Sequence, residues 1–125
     1  MAWSMDLESW LILMGGRYVG HFCDDKRKGQ GFCIYVQGRS YYGDWDNDWI
    51  NGHGVMKWRD GRMYVGQFSN GHRQGQGTMI WPDGSKYTGQ WLFDDQHGYR
   101  EFTDILGQTR QGEWDNGLRI RWIDN

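Results

Sequence analysis

Long apolar runs are absent from this sequence, which excludes the classes of protein that depend on them. The apolar run from Trp10 to Met14 has only five residues, and the acidic Asp6 and Glu8 precede it. It is too short to span a membrane, and a signal peptide would carry basic residues before such a run. The mean hydropathy of −0.87 also excludes a membrane-spanning protein. We therefore expect a cytoplasmic location.

Cysteine, proline and an excess of one charge are also scarce. The two cysteines, Cys23 and Cys33, fit reduced thiols in the cytoplasm. The 14 basic and 16 acidic residues nearly balance and give a net charge of −2. No global attraction to nucleic acid follows, so no nucleic-acid partner is expected. A single proline beside 20 glycines and 17% aromatic residues favours short strands and tight turns over a helical bundle.

A repeated motif organises the rest of the sequence. The pattern Tyr-x-Gly-x-aromatic begins at Tyr18, Tyr41, Tyr64 and Tyr87, and a damaged copy begins at Arg110. Each start lies 23 residues after the one before it. Self-similarity at a fixed period indicates a repeat protein.

Side-chain alternation predicts one aromatic face for each repeat. In a strand, the tyrosine and the aromatic residue four positions later share a face with the glycine between them. A second strand adds two rows to that face: Cys33, Met56, Met79 and Phe102, and Tyr35, Trp58 and Trp81. Strand glycines such as Gly66 leave room for a neighbouring ring to lie across the backbone.

Glycine pairs mark the expected turns. Asp60-Gly61 and Asp83-Gly84 predict two-residue type I′ turns between units, and a longer connection, such as Ser69 to Gln74, is predicted inside each unit. One hairpin cannot bury its aromatic face, so the units must stack. The predicted fold is all-β: an elongated, twisted, single-layer antiparallel β-meander of tandem 23-residue hairpin repeats. About ten strands, roughly 4.8 Å apart, would give a length of about 50 Å.

This pattern resembles the MORN (membrane occupation and recognition nexus) repeat. The usual form of that repeat is close to Tyr-x-Gly-x-Trp-x-x-Gly-x-x-His-Gly-x-Gly, followed by an aromatic residue and a glycine turn. The resemblance runs from about Gly15 to the C-terminus, and the copy from Tyr64 to Lys86 matches best. We divide the chain into an N-terminal capping segment with a half-repeat strand at Trp10 to Met14 (1–17), four repeats (18–109) and a C-terminal partial repeat (110–125).

The resemblance implies a non-catalytic protein-binding scaffold. Such a scaffold would present an aromatic-lined groove to a helical or extended peptide of a partner, and the family also forms homodimers. A cytoskeleton- or membrane-associated location within the cytoplasm is implied as well. The expected partner-binding residues are Tyr41, Trp45, Trp49, Tyr64, Phe68, Tyr87 and Trp91.

Two alternative functions stay open. The first is a phosphoinositide or anionic-lipid binding module, in which Lys26, Arg27 and Lys28 would make a weak contact with the lipid headgroup. The neighbouring Asp24 and Asp25 weaken the local potential, and a solvated turn is the competing interpretation. The second is an accessory substrate-positioning array of a larger enzyme.

No catalytic, cofactor or metal site is expected within this chain. Alternate spacing predicts that Asp44, Asp46 and Asp48 share one strand face, but the glycine and glutamate of a calcium-binding EF-hand loop are missing. The four histidines fall at unrelated offsets. Strand parity places Cys33 on the aromatic face and Cys23 on the other, which disfavours a disulfide.

Several aromatic residues lie outside the repeat pattern: Tyr42, Trp49, Phe93 and Tyr99. Trp49 and Ile50 are expected in a connection inside a unit, where the other copies have polar residues. Apolar residues at that place either pack the connection or contact a partner.

Overall fold

A computed structural model describes residues 3–12 and 16–123, with side chains described for residues 17–98 and 100–123. These residues form one antiparallel sheet of eleven strands in sequence order. The strands are β1 (Trp3–Ile12), β2 (Gly16–Cys23), β3 (Lys26–Ile34), β4 (Ser40–Asp46), β5 (Trp49–Lys57), β6 (Met63–Ser69), β7 (His72–Ile80), β8 (Lys86–Leu92), β9 (Asp95–Thr103), β10 (Thr109–Asp115) and β11 (Leu118–Ile123). Each strand pairs with the next, so the predicted all-β meander of consecutive hairpins is confirmed.

The N-terminal strand makes the sheet slightly wider than expected. About ten strands were predicted, and β1 brings the number to eleven by pairing with β2 from Trp3 opposite Cys23 to Ile12 opposite Gly16. The half-repeat strand was predicted at Trp10 to Met14. Leu13 and Met14 lie outside the described residues.

The short turns lie inside the repeats and not between them. Each has two residues, and both residues have positive φ: Asp24-Asp25, Asn47-Asp48, Asn70-Gly71, Phe93-Asp94 and Asn116-Gly117. Positive φ at both central positions is the geometry of a type I′ turn. The predicted longer connection at Ser69 to Gln74 is therefore wrong, because Asn70 and Gly71 are the two residues between β6 and β7.

The Asp-Gly pairs lie instead in longer loops between repeats. In the loop between β5 and β6, the amide of Gly61 donates to the carbonyl of Trp58 at 3.1 Å, and the amide of Trp58 donates to the carbonyl of Arg62 at 2.9 Å. Gly61 has a φ of 100°. These bonds enclose a three-residue loop that ends with a glycine in the left-handed region, which is a common hairpin type. An Asp-Gly pair is compatible with this three-residue loop and with a type I′ turn, so the dipeptide alone could not show which of the two forms here.

A β-bulge interrupts the hairpin of each repeat close to its tyrosine. In the third repeat, the register shifts between Gly66 and Phe68, so the single residue Gln67 of β6 lies opposite three residues of β7, Gln74 to Gln76. The extra residues of β7 interrupt the ladder locally. The hydroxyl of Tyr64 donates a hydrogen bond to the carbonyl of Gln67 at 2.8 Å, at the place where the ladder is interrupted. The equivalent bonds join Tyr18 to His21, Tyr41 to Asp44 and Tyr87 to Gln90 at 2.8, 2.9 and 3.0 Å.

The tyrosine rings occupy the centre of the core. Tyr64 has no exposed surface, and Gly77 lies opposite Gly66 in the adjacent strand. A Cβ added to Gly77 would lie 2.1 Å from the hydroxyl oxygen of Tyr64, so the ring occupies the space that a side chain would need. Gly31 and Gly54 have the same relation to Tyr18 and Tyr41. The ring therefore lies across the glycine backbone, as the spacing of tyrosine and glycine predicts.

Replacing Gly66 with valine should force two strands apart. The new Cβ would lie 2.4 Å from the Cα of Gly77 and 2.5 Å from the carbonyl oxygen of Gln76, and neither backbone atom can rotate away. We expect Gly66→Val to lower the free energy of unfolding by about 2–4 kcal/mol in urea denaturation.

The neighbouring Val65 provides a control for this change. Its side chain is 42% exposed on the opposite face, so Val65→Ile should change the free energy of unfolding by no more than about 0.5 kcal/mol. Equal stability of Gly66→Val and the parent would show that the strands do not approach closely at this position.

Candidate functional site

The tyrosines connect neighbouring repeats through edge-to-face ring contacts. Tyr41 contacts Trp45 of its own repeat and Phe68 of the next, with ring centroids 5.5 and 5.3 Å apart. Tyr64 contacts Phe68 and then Trp91 at 5.0 and 5.3 Å. These T-shaped pairs have the geometry that the ring quadrupoles favour. A continuous series of rings therefore runs through the stacked repeats.

Most of the predicted partner-binding residues belong to this series and are covered. Six have exposed fractions of 4% or less: Tyr41, Trp45, Tyr64, Phe68, Tyr87 and Trp91. Trp49 differs, since 57% of it is exposed. It begins β5, so its predicted place in a connection was wrong. A role for these residues in partner binding stays a prediction, but the six covered ones form the core.

Trp49 reaches across to the next repeat. A Cβ added to Gly71 would lie 3.2 Å from the Cε3 atom of Trp49, so the indole rests against the turn between β6 and β7. Its neighbour Ile50 is buried, with an exposed fraction of 5%. At the start of β5, the side chain of Ile50 therefore points into the core, and that of Trp49 lies along the surface.

A groove of about 720 Å³ lies beside these residues on the core side of the sheet. Buried side chains form its floor: Trp45, Ile50, Met56 and Phe68. Residues at or near the turns inside repeats form one wall: Arg27, Asp48, Trp49, Gly71, Arg73 and Asp94. Residues at the loops between repeats form the other: Tyr35, Val36, Gln37, Arg39 and Trp58. The groove therefore crosses the central repeats.

The comparison with known families agrees with this stacked architecture. The sequence profile of the MORN repeat matches residues 18–38, 41–61, 64–86, 87–99 and 111–119, which is well over half of the chain. The chain belongs to the MORN repeat family. MORN repeats are non-enzymatic and are generally associated with binding to proteins and membranes. No curated protein matches the chain at a significant level. In the described part of this MORN protein, no helix has the length and apolar character needed to cross a bilayer.

Two arginine–aspartate pairs line the turn wall of the MORN groove. Asp48 accepts hydrogen bonds from the amide and the Nε of Arg27 at 2.8 and 3.0 Å. Asp94 accepts the same two bonds from Arg73 at 2.7 and 3.2 Å. Burial would raise the pKa of the Asp48 carboxyl, but the hydrogen bonds and charge of Arg27 hold it below its usual range. Asp48 is therefore ionised at neutral pH and fixes Arg27, whose guanidinium carbon lies 4.6 Å from the ring centroid of Trp45.

The basic run at the first turn of the MORN array does not form an open cluster of positive charge. Arg27 is paired with Asp48, and the Nζ of Lys28 lies 3.2 Å from a carboxylate oxygen of Asp46. Lys26 is exposed. Two of the three cations thus face carboxylates, which reduces the positive potential available to a lipid headgroup. A headgroup site at Lys26, Arg27 and Lys28 stays a prediction.

The three aspartates of the same region do not form a shared site. Asp44 and Asp46 lie in β4, but Asp48 lies in the following turn with a φ of 72°. The expectation that all three share one strand face was wrong, because the strand ends at Asp46 and the chain turns there. Asp44 accepts a hydrogen bond from the amide of His53 at 3.0 Å, whereas Asp46 and Asp48 pair with different basic residues. Within residues 17–98 and 100–123, no group of three or more His, Cys, Asp or Glu residues could hold a metal ion.

Tyr42 and Phe93, two further aromatic residues outside the repeat pattern, do not line the groove. Tyr42 is 56% exposed in β4 and alternates with the buried Tyr41, so it lies on the opposite face of the sheet. Phe93 is 66% exposed in a turn, where its ring contacts His72. The side chain of Tyr99 lies outside the described residues.

Sequence reasoning missed the loop wall of the groove. Tyr35 and Trp58 were expected in the core, yet both are only partly buried, and each is covered by an arginine. The guanidinium carbon of Arg39 lies 4.5 Å from the ring centroid of Tyr35, and that of Arg62 lies 4.9 Å from the ring centroid of Trp58. In both of these repeats the arginine follows its aromatic residue by four positions, and this spacing could have identified the wall.

The hydroxyl of Tyr64 should contribute to stability rather than to partner binding. Burial raises the pKa of this phenol, so it stays protonated as a donor to the carbonyl of Gln67. Tyr64→Phe leaves that carbonyl without its partner, and we expect a loss of about 1–2 kcal/mol in the free energy of unfolding, measured in urea.

Tyr42 offers a matched control for the loss of a phenolic hydroxyl. It is 56% exposed on the opposite face, so Tyr42→Phe should leave the unfolding midpoint unchanged. If Tyr64→Phe and Tyr42→Phe unfold at the same denaturant concentration, the hydrogen bond from Tyr64 to Gln67 contributes nothing to the free energy of unfolding.

Proposed function

We propose that this MORN array is a non-catalytic protein-binding scaffold whose groove holds a helical or extended peptide of a partner protein. The observation that carries the proposal is the uncovered apolar surface beside the groove floor. Trp49 and Val36 are 57% and 62% exposed on opposite walls, while Ile50 and Phe68 between them are buried. Contiguous apolar surface of this kind usually marks an interaction site.

The chemistry of the groove suits a protein ligand. Tryptophan, tyrosine and arginine dominate the energy of protein interfaces, and all three line these walls. The paired charges at Arg27 and Asp48 fix polar groups beside the apolar floor, so a ligand with both apolar and polar side chains matches it. Trp49 already rests against Gly71, and a side chain that is ordered before binding loses little entropy on contact.

The predicted partner-binding residues have two roles in this proposal. Trp49 contacts the peptide directly from the turn wall. Trp45 and Phe68 form the floor, and the buried rings beneath them hold that floor in place: Tyr41, Tyr64, Tyr87 and Trp91. Loss of a buried ring would therefore disturb binding through the fold, and the exposed residue gives the cleaner test.

Removal of the exposed indole should weaken peptide binding and leave the fold intact. Peptides would be selected from a random display library on the immobilised protein, and their affinities would be measured in solution. We expect Trp49→Ala to weaken binding by about 1 kcal/mol or more, which is roughly fivefold, because exposed groove aromatics are typical interface anchors.

Tyr42 again supplies the control, since its exposed fraction of 56% nearly equals the 57% of Trp49. Tyr42→Ala lies on the opposite face and should retain parent affinity. Thermal melts by circular dichroism would show that both variants fold. Failure to select any peptide, or equal affinities of Trp49→Ala and the parent, would reject the groove as the binding surface.

Binding to phosphoinositide vesicles distinguishes this scaffold from a lipid module. We expect little vesicle binding at physiological ionic strength, where exposed charges are screened over about 8 Å. The informative variant replaces Lys26 and Lys28 with glutamine and keeps Arg27, whose pairing with Asp48 belongs to the fold. Tight, salt-sensitive binding that this double variant removes would replace the scaffold proposal with a lipid-binding function.

A further inference from the structure

Arg39 and Arg62 occupy equivalent places in two successive loops between repeats. In the first loop, the amide of Tyr35 donates to the carbonyl of Arg39 at 2.8 Å, and the amide of Gly38 donates to the carbonyl of Tyr35 at 3.0 Å. The second loop, from Trp58 to Arg62, has the same two bonds. Each arginine lies over the aromatic ring that precedes it by four residues.

The two loops differ in the carboxylate that neutralises the arginine. In the second loop, Asp60 accepts hydrogen bonds from the Nε and the amide of Arg62 at 2.9 and 3.0 Å. Gln37 stands at the place of Asp60 in the first loop. The Nε of Arg39 is buried and makes no hydrogen bond within the described part of the chain. The first loop, whose arginine lines the groove, therefore contains no acidic residue that could pair with Arg39.

The other groove arginines already have their carboxylates. Arg27 is paired with Asp48 and Arg73 with Asp94 on the turn wall. Arg39 lies on the loop wall, and no ion pair to it is found among residues 17–98 and 100–123. A guanidinium nitrogen that is removed from water without an acceptor is unfavourable. An incoming carboxylate would offer the planar acceptor that a guanidinium binds best.

We propose that Arg39 is a subsite for an aspartate or glutamate side chain of the bound peptide. This inference rests on the proposed function, because it names which feature of a peptide the groove selects. The flanking Tyr35, Val36 and Trp58 are apolar or aromatic, so the acidic residue of the ligand is accompanied by an apolar one. A multiply phosphorylated headgroup fits less well, since Asp48 and Asp94 line the opposite wall of the same groove.

The substitution Gln37→Asp tests the subsite by supplying the missing carboxylate within the chain. The new aspartate would pair with Arg39 as Asp60 pairs with Arg62, and it would compete with the acid of the ligand. The reciprocal variant, Arg39→Gln, removes the cation. Arg62→Gln is the matched control, because that arginine stands at the same loop position and is already paired.

The probes are a peptide selected on the parent protein and its twin with the acidic residue changed to the corresponding amide. We expect the parent to bind the acidic form about tenfold more tightly, as for a charge-assisted hydrogen bond. In Gln37→Asp and Arg39→Gln this preference should fall to about twofold or less, whereas Arg62→Gln should keep it. Gln37→Asp adds an ion pair and should melt no lower than the parent, so its loss of preference would not reflect unfolding.

The possible failures are distinguishable. If the parent binds the acidic and amide peptides equally, or if Arg39→Gln keeps the preference, the subsite is wrong and the peptide groove still stands. If no peptide is selected at all, the proposed function itself fails. If anionic phosphoinositide vesicles bind the parent and Arg39→Gln removes that binding, the site belongs to a lipid and the peptide subsite is overturned.

Discussion

The rest of the structure depends on the contact between each tyrosine and a glycine of the adjacent strand. Because Gly77 has no side chain, the ring of Tyr64 lies across its backbone, and the hydroxyl reaches the carbonyl of Gln67 opposite the bulge. The same ring contacts Phe68 and, in the next repeat, Trp91. One residue therefore satisfies a backbone group, fills the core and joins two repeats. A sheet without a second layer needs such an arrangement, because its apolar side chains must cover one another.

The fourth repeat shows how far this constraint can be relaxed. Arg100 stands where the earlier repeats have Gly31, Gly54 and Gly77. A Cβ added to Gly89 would lie 1.7 Å from the Cδ of Arg100, so the aliphatic stem of the arginine occupies this space. Tyr87 nevertheless has no exposed surface and keeps its bond to the carbonyl of Gln90. A long stem that lies flat can thus replace the ring-on-glycine contact. The residues that line the groove end at Asp94, before this change.

The groove combines residues shared by successive repeats with residues that vary from repeat to repeat. Part of the floor follows from the repeat, since Trp45 and Phe68 occupy the same position in successive units. Other residues that line the groove depart from the repeat: Ile50 of the floor stands where the neighbouring repeats have Arg27 and Arg73, and Gln37 of the loop wall stands where the next loop has Asp60. These departures set the apolar and charged groups that a ligand would meet. In a repeat protein, the shared residues support the fold, and the differences between copies are the natural source of specificity.

The sequence by itself determined the all-β meander and the pairing of tyrosine with glycine, because side-chain alternation and the steric need for glycine are local properties. It also indicated the family, whose motif is a fixed spacing within one unit. Only the tertiary structure decided which aromatic residues are covered: Tyr64 is fully buried, while Trp49 and Tyr42 are more than half exposed. It also decided that Asn70-Gly71 forms the tight turn and that the Asp60-Gly61 loop is longer, since both dipeptides suit either geometry. Burial and charge pairing depend on the next repeat along the stack, as when Asp48 binds Arg27. The accessible residues of the groove were therefore fixed by neighbours that are distant in the sequence.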